Sequence, residues 1–259
     1  MRSINKFLSF VRFRNTFYSD LLSNIWKIVI AAEALAGILL LFFIYVGIRT
    51  IEPNLYKTVY PAIIIITGLI VTSLSFSELY TGKSYFYLTL PSSLFEKLLS
   101  KLIIISVLYL LGINILLIFV SITAKGINYF LFGNQFSIFN PIHPNILSSE
   151  LFYLIVLTIF LFGAVYFKKY NFLKTILLIS TPILFMIIFP AISYKIMFWE
   201  YQESGILKLQ PGYAIAPPSV DYLVDAIQQI VEIFTFLFYS VTAPFFLLLT
   251  YLRLRESEA

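Results

Sequence analysis

The chain has no cysteine, and it carries one histidine among its 259 residues. The absence of cysteine excludes disulfides, a thiol nucleophile and a cysteine-ligated zinc site. A single histidine excludes paired-histidine metal motifs such as His-Glu-x-x-His. That histidine, His143, lies in the run Asn140-Pro-Ile-His-Pro-Asn145, which predicts a turn and a structural role. We therefore expect no metal site and no catalytic residue in this chain.

The sequence also lacks the short motifs that hold phosphates or activate a serine nucleophile. It contains no Gly-x-Ser-x-Gly elbow and no Gly-x-x-x-x-Gly-Lys-Ser/Thr loop. We therefore expect that the chain binds no nucleotide through such a loop and is not itself an enzyme.

Charge is scarce as well. Charged residues make up 12% of the chain, hydrophobic residues make up 60%, and the mean hydropathy is +0.91. A soluble domain carries about 25% charged residues. This composition excludes an ordinary soluble domain and directs attention to long apolar runs.

Six apolar runs approach the length that crosses a bilayer, which is about 20 residues for a helix. Backbone groups inside lipid must be hydrogen-bonded within their own segment, so these runs predict helices. The fold class is therefore predicted to be all-α, a polytopic bundle in a single transmembrane domain. The predicted spans are Ile28–Ile48, Val59–Phe76, Leu102–Ile122, Leu151–Phe167, Thr175–Tyr194 and Ile230–Leu252.

The basic residues predict the orientation of these spans. Thirteen of the eighteen Lys and Arg residues lie in the N-terminal segment, in the loops after the second and fourth spans, and in the tail. The excess of positive charge marks the cytoplasmic side, so both termini are predicted to be cytoplasmic. The net charge of +5 and the pI of about 9.2 are explained by orientation and lipid headgroups, so no nucleic-acid partner is expected.

Residues 4–25 predict an amphipathic helix before the first span. Apolar side chains recur at steps of three and four residues, with Lys6, Arg12, Asn15 and Asp20 between them. Aromatic anchors with cationic edges are typical of a helix that lies in the membrane interface. A disordered basic leader is the alternative interpretation.

The loop between the second and third spans predicts a second short helix. Pro91 disfavours helix at the preceding residue, and Ser93-Leu-Phe-Glu96 has the spacing of a capping box. We expect a helix that begins at this point on the cytoplasmic side and continues into the third span or abuts it.

Two carboxylates lie inside or at the edge of predicted spans. Glu33 is near the cytoplasmic end of the first span, and Glu232 is near the outer end of the sixth. Ionisable groups at membrane depth are costly and mark functional sites. We favour helix-end solvation or packing for both, with a place in a transport pathway as the alternative.

The inner loop reads Glu78-Leu-Tyr-Thr-Gly-Lys83, then Leu88-Thr-Leu-Pro91, then Ser92-Ser-Leu-Phe-Glu-Lys97, with Lys101 beyond. With the basic N-terminal helix and the six spans, this pattern resembles the membrane (permease) subunits of type-2 ABC exporters. The architectural resemblance covers the whole chain, and the motif covers about 25 residues.

The resemblance implies a half-transporter that pairs with a second permease, identical or related, and with two cytoplasmic ABC ATPase subunits. ATP and Mg²⁺ would bind to the ATPases. A coupling helix would dock on the ATPase, with Leu94 or Phe95 as its apolar anchor and Glu96 and Lys97 as its polar rim. The implied coupling residues are Pro91, Ser92, Ser93, Leu94, Phe95, Glu96 and Lys97.

Two alternatives from other classes stay open at this point. One is an ion-coupled secondary transporter, disfavoured because the sequence has neither paired intramembrane carboxylates nor a convincing internal repeat. The other is a polytopic membrane protein that does not transport. Richness in Ile, Phe, Tyr, Asn and Lys is typical of an AT-rich bacterial genome, so the expected location is a bacterial inner membrane.

Overall fold

The computed structural model describes residues 9–48, 55–76, 92–133, 137–167, 169–197 and 219–258. Every regular element in these ranges is helical, which confirms the predicted all-α class. The elements are α1 (Phe10–Ile48), α2 (Leu55–Leu74), α3 (Leu94–Ile103), a π-helical segment (Ile104–Leu108), α4 (Tyr109–Phe132), α5 (Pro144–Tyr166), α6 (Asn171–Met197) and α7 (Ser219–Glu258).

Each of the six predicted spans lies in helical structure over most of its length, and the third, Leu102–Ile122, extends from the end of α3 through the π-helical segment into α4. In the described part of the chain, four stretches are long and apolar enough to cross a membrane, namely Val29–Val46, Leu94–Phe132, Pro144–Tyr166 and Thr235–Glu256. The apolar stretches of α2 and α6, Val59–Leu74 and Asn171–Phe185, are shorter. Four candidate crossings are therefore established by length and composition, and the count of six stays a prediction.

The predicted interfacial helix differs from the structure. Residues 4–8 lie outside the described residues, and residues 10–25 form the first part of α1, which continues without a break into the first span. The reason is local, because α1 contains no proline and its first glycine is Gly37. At 1.5 Å per residue, this 39-residue helix is about 58 Å long.

A helix begins at the capping box that the sequence contains. Ser93 caps α3 with both hydrogen bonds of a capping box, one from the Glu96 N–H to the Ser93 hydroxyl and one from the Ser93 N–H to the Glu96 carboxylate. The helix then passes through the π-helical segment into α4. The run Leu94–Phe132 is therefore a second 39-residue helical stretch.

Contacts between side chains and backbone give the relative directions of the helices. Glu96 contacts Ser9 and Arg12, whereas Asn128 donates to the Phe43 carbonyl far along both helices. α1 therefore runs parallel to α3 and α4. Four further contacts pair Tyr60 with Asn114, Thr67 with Tyr109, Glu150 with Asn114, and Tyr153 with Ile105. They show that α2 and α5 both run antiparallel to α4.

The chain divides into two compact units, residues 1–172 with 243–259, and residues 173–242. The core of the first unit contains fully buried side chains such as Phe43, Leu117 and Leu161. Large apolar side chains also point outward, among them Ile38, Leu41, Ile115 and Phe119. An apolar exterior around α1 and α4 is what a lipid environment favours and what water disfavours.

Candidate functional site

The N-terminal part of α1 packs on α3 through charged side chains. Glu96 Oε1 accepts hydrogen bonds from the Ser9 backbone N–H at 2.6 Å and from Arg12 Nη2 at 3.2 Å. Glu96 Oε2 accepts the capping bond from the Ser93 N–H at 2.7 Å. The Glu96 side chain is fully buried, so every one of these donors replaces water that the carboxylate has lost.

A second ion pair lies two turns further along α1. Lys101 Nζ is 2.8 Å from Asp20 Oδ1, and the Ser100 hydroxyl donates to Asp20 Oδ2 at 2.6 Å. The side chains of Lys101 and Asp20 are 5% and 6% exposed. We call Arg12, Asp20, Glu96, Ser100 and Lys101 the α1–α3 ion-pair cluster.

The cluster follows from the spacing of polar residues on both helices. Arg12, Thr16 and Asp20 recur every four residues on α1, so they share one face. Glu96, Ser100 and Lys101 share the facing side of α3, and its polar residues are buried. On the other side of α1, Phe10 is 75% exposed and Leu22 is 62% exposed. The polar face of this amphipathic helix therefore points into the protein.

The structure separates the predicted coupling residues into two groups. Leu94 is half-buried and Phe95 is 36% exposed, so the predicted apolar anchor is accessible at the start of α3. Glu96 and Lys97 are buried, and Glu96 contacts α1 where an exposed polar rim was expected. Ser92 and Ser93 are half-buried, and Pro91 lies outside the described residues. Docking on an ATPase stays a prediction.

The π-helical segment is held by a tyrosine of α5. The Tyr153 hydroxyl donates to the Ile105 carbonyl at 2.7 Å, and the Tyr153 ring lies 5.3 Å from the Tyr109 ring. A β-carbon at Gly68 of α2 would clash with the Tyr153 ring. Gly68 is therefore the residue that lets both rings pack against α2. Segments of π-helix are frequent at functional sites.

A polar triad joins α2, α4 and α5, and the sequence interpretation missed it. Tyr60 donates to Glu150 Oε1 at 2.7 Å, and Asn114 Nδ2 donates to the same oxygen at 2.7 Å. The Tyr60 hydroxyl also contacts Asn114 Oδ1 at 3.3 Å. The ring of Phe139, which is buried, lies 5.3 Å from the ring of Tyr60. We call Tyr60, Asn114 and Glu150 the polar triad.

One signal in the sequence points to the triad. His143 is the N-cap of α5 and accepts from the Asn145 N–H, and Pro144 occupies the first helical position. This confirms the predicted structural role of His143. A proline at that position is a recognised helix start. The fourth predicted span begins at Leu151, whereas α5 begins at Pro144, so Glu150 lies within the helix.

The two carboxylates singled out from the sequence belong neither to the ion-pair cluster nor to the polar triad. Glu33 is exposed on α1, and Glu232 is exposed on α7. They belong to different compact units of the chain. A transport role for either residue stays a prediction.

Over the ranges that the structure describes, these observations define a helical protein with an apolar exterior and four helical stretches long and apolar enough to cross a membrane. Comparisons of the chain with protein-family models, with curated proteins and with solved structures find no match.

Proposed function

We propose that this chain is the permease subunit of a type-2 ABC exporter, located in a bacterial inner membrane with both termini in the cytoplasm. The observation that carries the proposal is the start of α3. A capped helix begins there with accessible apolar side chains, and ion pairs attach it to α1. A helix built in this way is suited to receive a force from a soluble partner.

The length of the helices supports a contact outside the bilayer. The hydrocarbon core is about 30 Å thick, whereas the Leu94–Phe132 stretch of 39 residues is about 58 Å long. About 28 Å of it must extend beyond the hydrocarbon. The charged residues of α1 and α3 lie at the same end, so this is the end that leaves the lipid. Leu94 and Phe95 then present an apolar contact to the cytoplasm.

The ion-pair cluster gives the contact a mechanical consequence. Glu96 and Lys101 lie on α3, and their partners Arg12 and Asp20 lie on α1. A displacement of α3 by ATPase closure therefore moves α1 as well. Two ATPase subunits, which bind ATP and Mg²⁺, would act on this chain and on a second permease copy or paralogue. The cargo would leave between the two permeases.

The test is co-purification of the tagged full-length chain from its native membrane in mild detergent. We expect a stoichiometric soluble ATPase with a phosphate-binding loop, and we expect Phe95→Asp to weaken its binding about thirtyfold, the effect of losing ~2 kcal/mol at a central contact. Phe130→Asp is the matched control, because Phe130 is 86% exposed near the opposite end of the same helical stretch. Equal recovery of the ATPase with both variants would refute the proposed contact.

An ion-coupled secondary transporter is the second candidate, and the polar triad is the observation that favours it. Glu150 lies among helices and is hydrogen-bonded to two neutral side chains. Carboxylates in such positions serve ion and proton pathways in carriers. Failure to recover any ATPase, even after crosslinking in the membrane, would favour this candidate over the exporter.

A further inference from the structure

The π-helical segment Ile104–Leu108 leaves one backbone carbonyl for a side chain to bind. In a regular α-helix the Tyr109 N–H would bond to the Ile105 carbonyl, four residues back. Here it bonds to the carbonyls of Ile104 and Ser106. The Tyr153 hydroxyl donates to the Ile105 carbonyl at 2.7 Å, and both residues are buried, so water cannot replace this donor. Tyr153 therefore stabilises the π-helical form of the segment.

A second acceptor lies within reach of the same hydroxyl. The Thr72 hydroxyl of α2 is a hydrogen-bonding neighbour of Tyr153, and Thr72 is fully buried. The Thr72 hydroxyl donates to the Gly68 carbonyl at 2.8 Å, and its oxygen can also accept. The Tyr153 hydroxyl can therefore keep a partner when the Ile105 carbonyl takes the Tyr109 N–H, as it does in an α-helical form of the segment.

An α-helical form would place α3 differently on α4. A π-helical turn holds one residue more than an α-helical turn. Its loss turns α3 by about 100° and moves it by about 1.5 Å, the step of one residue. α4 would stay in place, because the Tyr109 and Thr67 hydroxyls are 2.6 Å apart and Asn128 donates to the Phe43 carbonyl. Each residue of α3 would then occupy the site of the residue that precedes it.

The ion-pair cluster accommodates this step on one side only. Lys101 would take the Ser100 site, which already contacts Asp20, so the Asp20 carboxylate would keep a cation. Glu96 would leave its place beside Arg12, and that pair would be lost. The α-helical form therefore keeps one of the two ion pairs, and the π form is the more stable.

The same step changes what the start of α3 presents to a partner. Phe95 is 36% exposed, Leu94 is half-buried and Glu96 is fully buried. In the α-helical form Phe95 would take the Leu94 site, and Glu96 would take the exposed site of Phe95. An apolar contact would thereby become an acidic one.

We propose that the π-helical segment is a switch between two positions of α3. In the π form the Tyr153 hydroxyl binds the Ile105 carbonyl and α3 presents Phe95. In the α-helical form that hydroxyl binds Thr72 and α3 presents Glu96. The two forms depend on this chain alone, whereas their use rests on the proposed function, in which an ATPase that covers Phe95 stabilises the π form.

The chain contains no cysteine, so single-cysteine variants of the full-length protein report the position of α3. The label is a water-soluble maleimide. Ser100→Cys is buried in the π form and takes the half-buried Leu99 site in the α-helical form. Leu99→Cys makes the opposite change, because it takes the buried Leu98 site.

Tyr153→Phe, added to each reporter, removes the hydroxyl that stabilises the π form. We expect it to raise the labelling rate of Ser100→Cys about tenfold, the effect of losing ~1.4 kcal/mol of preference for that form. The rate of Leu99→Cys should stay the same or fall. Tyr109→Phe is the matched control and should change neither rate, because its hydroxyl bonds to α2. No change with Tyr153→Phe, or a rise at both reporters, would overturn the switch.

Deletion of Val107, which is 50% exposed, removes the extra residue and keeps α3 in its present orientation. In this variant Ser100→Cys should label as slowly as in the undeleted chain, with or without Tyr153→Phe. Fast labelling after the deletion alone would show that the segment does not hold one extra residue, and it would overturn the switch. A tenfold rise with Tyr153→Phe that persists after the deletion would do the same.

The labelling needs no ATPase, so its outcome is separate from that of the co-purification. The expected rates without a co-purifying ATPase would support the switch and refute the exporter. Unchanged rates in a chain that co-purifies with an ATPase would overturn the switch and leave the exporter proposal standing.

Discussion

Replacement of Lys101 by methionine tests whether the ion-pair cluster holds α1 on α3. Lys101 Nζ lies 2.8 Å from Asp20 Oδ1, and both side chains are about 5% exposed. Methionine keeps most of the volume and removes the charge, which leaves the Asp20 carboxylate buried without this ammonium group. Removing one partner of a buried pair costs about 3–5 kcal/mol. That is a large part of the 5–15 kcal/mol by which folded proteins are typically stable.

The assay is unfolding of the purified protein in mild-detergent micelles by sodium dodecyl sulfate, followed by circular dichroism. Glu256→Gln is the control, because the Glu256 side chain is 65% exposed, its ion pair is with Arg253 on α7, and such pairs contribute about 0–1 kcal/mol. The double variant Asp20→Leu/Lys101→Met should recover at least half of the loss, since apolar residues replace buried pairs at little cost. A Lys101→Met protein as stable as the control would refute the reasoning, as would a double variant no better than the single one.

Two further predictions concern packing and capping. Gly68→Ala should lower the melting temperature, because the added methyl group meets the Tyr153 ring and overpacking costs about 1–3 kcal/mol. Gly37→Ala is the control: nothing lies within 4 Å of the added β-carbon, so the melting temperature should stay unchanged or rise. Ser93→Ala should cost about 1 kcal/mol in the same unfolding assay by removing the cap of α3. Ser148→Ala, at an exposed hydroxyl inside α5, should cost less, and equal losses would contradict the capping argument.

Much of the fold was predictable because the strongest signals are local. Apolar runs predicted where six helices lie, and the Ser93–Glu96 spacing predicted the start of α3. Helix ends were less predictable. The interior of α1 contains no helix-breaking residue, so nothing local separates its interfacial part from its spanning part.

The partners of the polar residues could not be predicted from periodicity. The spacing of Arg12, Thr16 and Asp20 reveals a polar face on α1, but not whether that face meets water or another helix. In the structure this face meets α3. Glu96 and Lys101 carry charges opposite to those of Arg12 and Asp20, at a matching distance along the helix. Such a match depends on the parallel pairing of two helices that are about eighty residues apart in sequence.

The two polar clusters are joined by one continuous stretch of helix. The ion-pair cluster binds α1 to its beginning, and the polar triad binds α2 and α5 near its middle at Asn114. Between them lies the π-helical segment Ile104–Leu108, where the Tyr153 hydroxyl of α5 donates a hydrogen bond to the Ile105 carbonyl. Because a π-helical turn already departs from the regular α-helical hydrogen-bonding pattern, we expect the helix to bend at this segment. A displacement of α3 would then reach the triad by two routes, directly through this segment and through α1, which also contacts α4 at Phe43 and Asn128.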